Sequence, residues 1–279
     1  MLVEQNHLHK AQKAIFDFVK MSGASNDFVI IDNRLNPKKI NVEIVKKICH
    51  RQNIGCDQLI LINNSSDNSA EIACEMQIFN SDGSESATCG NATRCVAKII
   101  FDEDFSKDKI KIKTQAGILD CFKINEDLIK VNLGVPKVVN SQITLEGFEF
   151  IHINVGNPHA VAFVASIPQD EIFFKAGAKV ENNLQYFPQK TNVEFAKIIN
   201  DSLIEVRVFE RGVGETLACG SGACAVGFCA IYKNLIKNTA VTVRFKGGDL
   251  LIEFDGTNIF MTAGTQKIFK GIIDDDFLQ

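Results

Sequence analysis

The sequence contains no tryptophan, and its 279 residues include only two tyrosines and five prolines. Neither sign of charge is in large excess, because 30 lysines and arginines stand against 34 acidic residues for a formal net charge of −4. The basic residues are scattered, so the chain lacks the field that attracts nucleic acid or an anionic membrane. No apolar run reaches the ~20 residues that cross a bilayer. Nucleic acid and membranes are therefore not expected as partners.

The N-terminal segment MLVEQNHLHKAQK has no apolar core, so it does not resemble a secretion signal. The cysteines number nine, and without such a signal they are expected to be reduced thiols of the cytoplasm. The repeated cysteine spacings also differ from the close pairs of a structural zinc site. We expect a cytoplasmic protein with no metal, and a poorly ordered extension over residues 1 to 14.

Two segments of the chain have the same pattern. FNSDGSESATCGNATRC begins at Phe79, and FERGVGETLACGSGAC begins at Phe209. In each, a glutamate stands four residues before a cysteine that is followed directly by glycine, and these cysteines are Cys89 and Cys219. Their offset is 219 minus 89, or 130 residues, and other landmarks recur at offsets up to 134. The pattern predicts two duplicated domains of roughly 130 residues each.

Each segment runs from a strand-like stretch through a glycine-bearing turn into a helix of small residues. Cys89 and Cys219 therefore fall at helix N-termini, where unpaired N–H groups favour a thiolate and can bind a carboxylate. Cysteine is commonly a small buried hydrophobe, and we interpret Cys95, Cys224 and Cys229 in that way. The duplicated context favours a functional role for Cys89 and Cys219.

Two equivalent helix N-termini that face one cleft would place the two thiols on opposite sides of a substrate. Inversion of a carbon centre needs one group to remove a hydrogen from one face and another to return it on the other face. Cysteine suits this because a helix terminus can lower its pKa from ~8.5 toward neutrality. Racemisation or epimerisation without a cofactor is therefore the reaction that paired cysteines explain best.

The motifs KMSGASNDFVIID, IFNSDGSESATCGNATRC, VGNPHAV, TNVEF and FERGVGETLACGSGA resemble the diaminopimelate epimerase family, from about Phe18 to Gly264. The resemblance implies an α/β (α+β) fold of two pseudo-symmetric domains, each a β-barrel-like sheet around a central helix. The domains would comprise residues 15–133 plus 265–279, and residues 134–264. The implied activity is cofactor-independent interconversion of LL- and meso-2,6-diaminopimelate in lysine and peptidoglycan precursor biosynthesis. A homodimer is expected.

The resemblance also implies roles for individual residues. Cys89 and Cys219 would be the catalytic thiols, with Cys89 as proton donor and Cys219 as acceptor in one direction. His159 and Glu210 match residues near the thiols. The matching substrate-binding positions are Asn26, Gln58, Asn80, Gly90, Asn91, Asn157, Asn192, Glu210, Arg211, Gly220 and Ser221.

The chain departs from the family pattern at Ser22, Ser25 and Ala92, and in the run Gly55-Cys56-Asp57-Gln58. None of these departures removes a catalytic group. Physical reasoning supports Arg211 as a bidentate ligand of a distal carboxylate, with a solvated surface arginine as the alternative. The asparagines stand at strand–turn junctions, where asparagine is common for turn geometry alone.

Three other functions stay open at this level. A proline or hydroxyproline racemase would use paired cysteines on the same plan, although it would not need Arg211 and the asparagines for a distal amino-acid head. A non-catalytic amino-acid-binding protein would not need two thiols. A redox sensor would join Cys89 and Cys219 in a disulfide.

Overall fold

The computed structural model describes residues 16–66 and 71–278, so the predicted extension over residues 1 to 14 lies outside them. The strands of the first half are β1 (Phe16–Gly23), β2 (Asn26–Asp32), β3 (Gln58–Asn63), β4 (Ile72–Asn80), β5 (Glu85–Ser86), β6 (Lys109–Thr114), β7 (Gly117–Lys123) and β8 (Leu128–Asn132). Those that follow are β9 (Lys137–Leu145), β10 (Phe148–Asn154), β11 (Pro158–Phe163), β12 (Asn192–Asn200), β13 (Leu203–Glu210), β14 (Gly214–Thr216), β15 (Ala240–Phe245), β16 (Gly248–Phe254), β17 (Ile259–Gly264) and β18 (Gln266–Ile273). The helices are α1 (Val42–Cys49), α2 (Gly90–Glu103), α3 (Asp170–Glu181), α4 (Gly220–Tyr232) and α5 (Asp275–Leu278).

The strand pairings repeat along the chain. Four pairs are parallel, namely β2–β3, β4–β6, β11–β12 and β13–β15, and the other pairs are antiparallel. The first parallel pair of each half is connected through α1 or α3, and the second through α2 or α4. Such crossovers are the usual way to join parallel strands. The predicted mixed α/β fold of two duplicated domains is therefore confirmed.

Two pairings involve strands from near the end of the chain. β18 pairs with β1, with Phe16 opposite Ile273, and β17 pairs with β8, with Met261 opposite Val131. The last strand thus adds to the first half, as the resemblance implied, while β17 connects the two halves. The predicted domain boundaries themselves stay a prediction.

Each half has a helix inside its sheet. α4 has the sequence GSGACAVGFCAIY and packs against β15, β16 and β17 as well as β10 to β12. Because the side chains of α4 are small or apolar on every face, the helix can be buried on all sides. α2 packs against β1, β8 and neighbouring strands. Both helices therefore start inside the molecule, where the two halves meet. Within the described ranges, no helix is long and apolar enough to cross a membrane.

Local sequence signals determine the structure at two places in the first half. Asn41 caps α1, because its side-chain oxygen accepts a hydrogen bond of 2.9 Å from the N–H of Ile44. The break between β1 and β2 is a tight turn in which Ala24 and Ser25 have φ of +50° and +65°. This turn places Asn26 at the start of β2, facing the start of α2.

Candidate active site

The two cysteines of the duplicated motif occupy equivalent places. Each is the residue before a helix, with extended backbone at φ −151° for Cys89 and −132° for Cys219. The glycines that follow allow close approach of other groups. A Cβ at Gly90 would lie 2.6 Å from Met261 Cε, and one at Gly220 would lie 3.0 Å from the Asn91 side-chain oxygen. The two helix N-termini therefore meet at one place.

A cavity of about 660 Å³ lies at this meeting point. It is lined by both cysteines and by side chains from both halves of the chain, so the predicted cleft between the duplicated motifs is present. Of the residues predicted from the sequence, the cavity is lined by Asn26, Gln58, Asn80, Cys89, Gly90, Asn91, Glu210, Arg211, Cys219, Gly220 and Ser221. Lining residues that the sequence did not indicate are Asp57, Ser81, Asp82, Thr88, Val213 and Thr216.

The wall from the first half is a set of amide side chains that orient one another. Gln58 donates to the Asn80 oxygen at 3.0 Å. Asn91 donates to the Asn26 oxygen at 2.7 Å, and the Asn26 amide group lies 3.4 Å from the Asp57 carboxylate. These asparagines are therefore more than turn residues, because their side chains face the cavity in defined orientations.

The predicted residues Asn157 and His159 lie behind the wall from the second half. Asn157 donates to the Ser221 hydroxyl at 3.3 Å, and its oxygen lies 3.0 Å from Nε2 of His159. The other ring nitrogen, Nδ1, lies 2.6 Å from the Glu194 carboxylate, and both of these side chains are fully buried. Sequence reasoning missed Glu194, although it lies in the TNVEF motif. His159 is therefore connected to the cavity through the contacts of Asn157 with Ser221.

Asn192 is also buried, and it holds the start of the turn that carries Arg211. Its side chain donates to the Pro158 carbonyl at 3.1 Å and accepts from the backbone N–H of Arg211 at 3.0 Å. The Arg211 guanidinium is exposed and donates to the Gln189 carbonyl at 3.0 Å. This leaves the guanidinium at the edge of the cavity, where it can still bind a carboxylate.

The thiol of Cys219 has an acidic environment. Its sulfur accepts from the Gly222 N–H at 3.4 Å and lies 3.5 Å from the Ser221 hydroxyl. Burial nevertheless raises the pKa of Cys219 well above its ordinary value, and the nearby carboxylates of Glu210 and Glu194 raise it further. The pKa of Glu210 is itself raised, mainly by burial, although a hydrogen bond from Thr216 opposes this.

The thiol of Cys89 has a more favourable environment for charge, although the balance has the same sign. The residue is half-buried, yet its sulfur lies deep enough that burial raises its pKa. The N–H groups of Ala92 and Asn91 and the charge of Arg94 oppose this rise. The N–H groups at the helix N-termini lower the pKa of both thiols, as expected, but desolvation outweighs them, so that both pKa values are raised in the free protein.

In the part of the chain that the structure describes, no three His, Cys, Asp or Glu side chains are grouped so that they could hold a metal ion. The polar groups that converge on the cavity are amides, hydroxyls, thiols, one guanidinium, backbone N–H groups and the carboxylates of Asp57, Asp82 and Glu210. Such groups bind carboxylates and ammonium groups and can transfer protons.

The fold is that of two-domain epimerases and racemases. It is shared with a hydroxyproline epimerase from Agrobacterium vitis, which aligns at a TM-score of 0.70 and 12% identity over 94% of this chain and 92% of that chain. A predicted epimerase from Pseudomonas aeruginosa aligns at a TM-score of 0.71 and 11% identity over 92% of this chain and 99% of that chain. At these identities the likeness establishes the fold alone.

Sequence comparison identifies the family. The diaminopimelate epimerase family model matches this chain twice, over residues 18–139 and 151–268. A diaminopimelate epimerase of Pelagibacter ubique is 39% identical over 91% of this chain and 96% of its own length. One from Elusimicrobium minutum is 37% identical over 93% and 100%. The chain belongs to the diaminopimelate epimerase family and is an isomerase, as its motifs predicted.

Proposed function

We propose that this protein interconverts LL- and meso-2,6-diaminopimelate, with Cys89 and Cys219 as the two acid/base groups. The observation that carries the proposal is that both thiols stand at helix N-termini and line one cavity. Membership of the family supports the substrate, and with it a role in lysine and peptidoglycan precursor biosynthesis. The absence of a cofactor, a cytoplasmic location and a homodimer are proposed from the sequence alone.

The reaction exchanges a proton at the carbon between a carboxylate and an ammonium group. One cysteine, as a thiolate, removes the proton from one face, and the other, as a thiol, supplies a proton to the opposite face. The carboxylate is bound by unpaired N–H groups in the first turns of α2 and α4, at Gly90, Asn91, Gly220 and Ser221. These donors also stabilise the negative charge that develops on the carboxylate when the proton leaves.

A thiolate has to form in a place where burial opposes it. The substrate itself offsets part of this cost, because its ammonium group enters the cavity next to the sulfurs and a nearby opposite charge lowers a thiol pKa. The thiols are therefore activated mainly in the complex. This arrangement limits the reaction of the free thiols with other electrophiles.

The distal end of diaminopimelate carries a second carboxylate and a second ammonium group. Arg211 would bind that carboxylate, and the amide oxygens and the Asp57 carboxylate of the first-half wall would accept from that ammonium group. A proline-type racemase is supported only by fold likeness at 12% identity or less. Its substrate has no distal head, so the polar groups at that end of the cavity favour diaminopimelate.

The test is hydrogen exchange at the α-carbon in deuterated buffer under reducing conditions, with LL-diaminopimelate and L-proline measured side by side. We expect deuterium at the diaminopimelate centre with inversion. Inversion should be lost in Cys89→Ala and in Cys219→Ala, while Cys229→Ala, a buried cysteine of the α4 core, is the matched control. Exchange on proline alone would establish the racemase, and binding without exchange on either would establish a non-catalytic protein.

A further inference from the structure

Arg94 is the largest side chain that is fully buried in the described part of the chain. It lies on α2, little more than one turn after Cys89, in a helix whose neighbouring residues are mostly small or apolar. Burial lowers the pKa of this guanidinium, which reflects the cost of taking a charge out of water. A charge in such a place needs a physical reason.

Among the residues that the structure describes, none provides Arg94 with a counter-ion. One Nη donates to the Asn91 side-chain oxygen at 3.0 Å, the other lies 3.3 Å from the Met261 sulfur, and Nε has no hydrogen-bond partner in the described structure. No carboxylate of residues 16–66 or 71–278 forms an ion pair with it. An unpaired buried charge is strongly destabilising, so its counter-charge is expected to be one that arises during function.

The duplicated half does not repeat this charge. With the offset of 130 residues that relates Cys89 to Cys219, the position of Arg94 corresponds to Cys224, which is buried and neutral. The second half instead buries an acid and a histidine. His159 lies opposite Asn192 in the β11–β12 pair, and Glu194 follows two residues later on the same face.

The corresponding positions of the first half are apolar. In the β2–β3 pair, Phe28 lies opposite Gln58 as His159 lies opposite Asn192, and Ile60 takes the place of the acid. Phe28 and Ile60 are buried in the core around α2. The two halves thus have the same backbone plan and opposite buried charges, with a cation behind Cys89 and an anion behind Cys219.

We propose that Arg94 is a positioning residue whose buried charge stabilises the Cys89 thiolate and the substrate carboxylate at the start of α2, which makes the two thiols inequivalent. This rests on the proposed function, because it takes the cavity as the substrate site. The thiolate and the carboxylate are the counter-charges that the described residues do not supply to the guanidinium.

Asn91 connects the charge to the cavity. Its oxygen accepts from Arg94, and its amide group donates to Asn26, so the side chain has one orientation at the cavity wall. The same oxygen lies 3.0 Å from the place that a Cβ at Gly220 would take, so the Asn91 side chain that Arg94 holds also lies next to the start of α4. The effect of the charge should still be larger at Cys89, because Cys89 caps the helix that carries Arg94 and this charge opposes the rise of the Cys89 pKa, whereas the charges that act most on Cys219 are those of Glu210 and Glu194.

The experiment measures the alkylation of each thiol separately by iodoacetamide from pH 6 to pH 10, with quantification of the modified peptide by mass spectrometry. Cys89 is followed in a Cys219→Ala background, and Cys219 in a Cys89→Ala background. Each background carries Arg94→Met, Arg94→Gln or Arg94→Lys. The matched control is Arg34→Gln, because Arg34 contacts Glu103 at 3.1 Å, at the opposite end of α2.

In the neutral variants we expect the alkylation of Cys89 near neutral pH to fall about tenfold or more, as loss of a nearby buried charge requires. The rate at Cys219 should change by less than about threefold, and Arg94→Lys should bring Cys89 back to within about threefold of the parent. Arg34→Gln should leave both profiles unchanged. Folding of every variant is checked by circular dichroism and thermal unfolding.

An unchanged Cys89 profile in a folded neutral variant overturns the proposal, and so does an equal loss at both thiols. If neither Arg94→Met nor Arg94→Gln folds, Arg94 is a structural cation and the proposal is rejected. Failure of the proposed function would be seen elsewhere, as absent hydrogen exchange on diaminopimelate by the parent protein. The two failures are thus distinguishable.

Discussion

Gly222 and Ala92 occupy the same position of the duplicated helices, three residues after Cys219 and Cys89. We predict that Gly222→Ala impairs the reaction, whereas Ala92→Gly keeps most of it. A Cβ at Gly222 would lie 2.9 Å from the Glu194 carboxylate oxygen and 3.2 Å from Cys219 Cβ. Ala92 already carries that methyl group and is fully buried against the apolar core. The second half needs glycine because the carboxylate of Glu194 occupies the space.

The added methyl group of Gly222→Ala has two effects of opposite sign on the free energy of unfolding. Alanine in place of glycine inside a helix is favourable by about 1 kcal/mol. Overpacking a fully buried position costs about 1–3 kcal/mol, and a 2.9 Å contact is too short for the neighbours to remain in place. Gly222→Ala should therefore lower the free energy of unfolding by up to about 2 kcal/mol. The substitution should also move the Glu194 carboxylate away from His159. It should likewise weaken the hydrogen bond that the Cys219 sulfur accepts from the Gly222 N–H.

The assay combines urea unfolding with the rate of α-hydrogen exchange on diaminopimelate. For Gly222→Ala we expect lower stability and a fall in exchange of about tenfold or more, as for a small misplacement of a reacting group. Ala92→Gly, the matched control, should lose about 1 kcal/mol and keep most of its activity. A Gly222→Ala variant that is more stable than the parent and fully active would refute the packing argument.

Three further predictions concern stability. The pKa of Asp27 is raised by burial but lowered more by hydrogen bonds from Arg51 and Lys20. Asp27→Asn should therefore be less stable than the parent protein at pH 7 in urea unfolding, and the difference should shrink as pH falls below ~4. The pKa of Glu210 is raised by burial, so its ionisation costs stability as pH rises above ~4.3. Between pH 5 and pH 8, Glu210→Gln should therefore have a higher free energy of unfolding relative to the parent protein in the same assay. A Cβ at Gly227 would lie 2.7 Å from an Ile252 methyl carbon, so Gly227→Ala should lower the thermal midpoint by an amount corresponding to about 1–2 kcal/mol while the exchange rate of folded protein is kept.

The fold was predictable from the sequence as far as local patterns and the duplication reach. The Asn41 cap, the turn before Asn26 and the two helix starts depend on neighbouring residues, so the sequence alone indicates them. β9 and α3 were not predicted. In α3 the spacing of Phe173, Ala176 and Val180 is a usable helical signal, but the exposed apolar residues beside it hide the polar face.

The sequence predicted which residues line the candidate site better than it predicted the pKa values of the thiols there. Motif residues such as Asn26 and Asn80 line the cavity, whereas Asp57 and Glu194 were missed because their roles depend on contacts across strands. The net direction of the pKa shift at both thiols was not predictable, because a helix N-terminus can be recognised in the sequence and the burial of a sulfur cannot. Arg94 had a signal in principle, as a charge in a helix of small residues.

The pairing of the last strands with the first half has a consequence for biosynthesis. β1 pairs with β18 and β8 pairs with β17, and β17 is the last strand of the second half while β18 follows it, so both partners leave the ribosome late. Until then the first half has two open strand edges, and open edges can pair with other chains. All strands of the second half have been synthesised before β18, so the second half can complete its own strand pairings before the first half does, apart from the pairing of β17 with β8. Chaperone protection of the nascent chain should therefore matter most between the synthesis of β8 and that of β18.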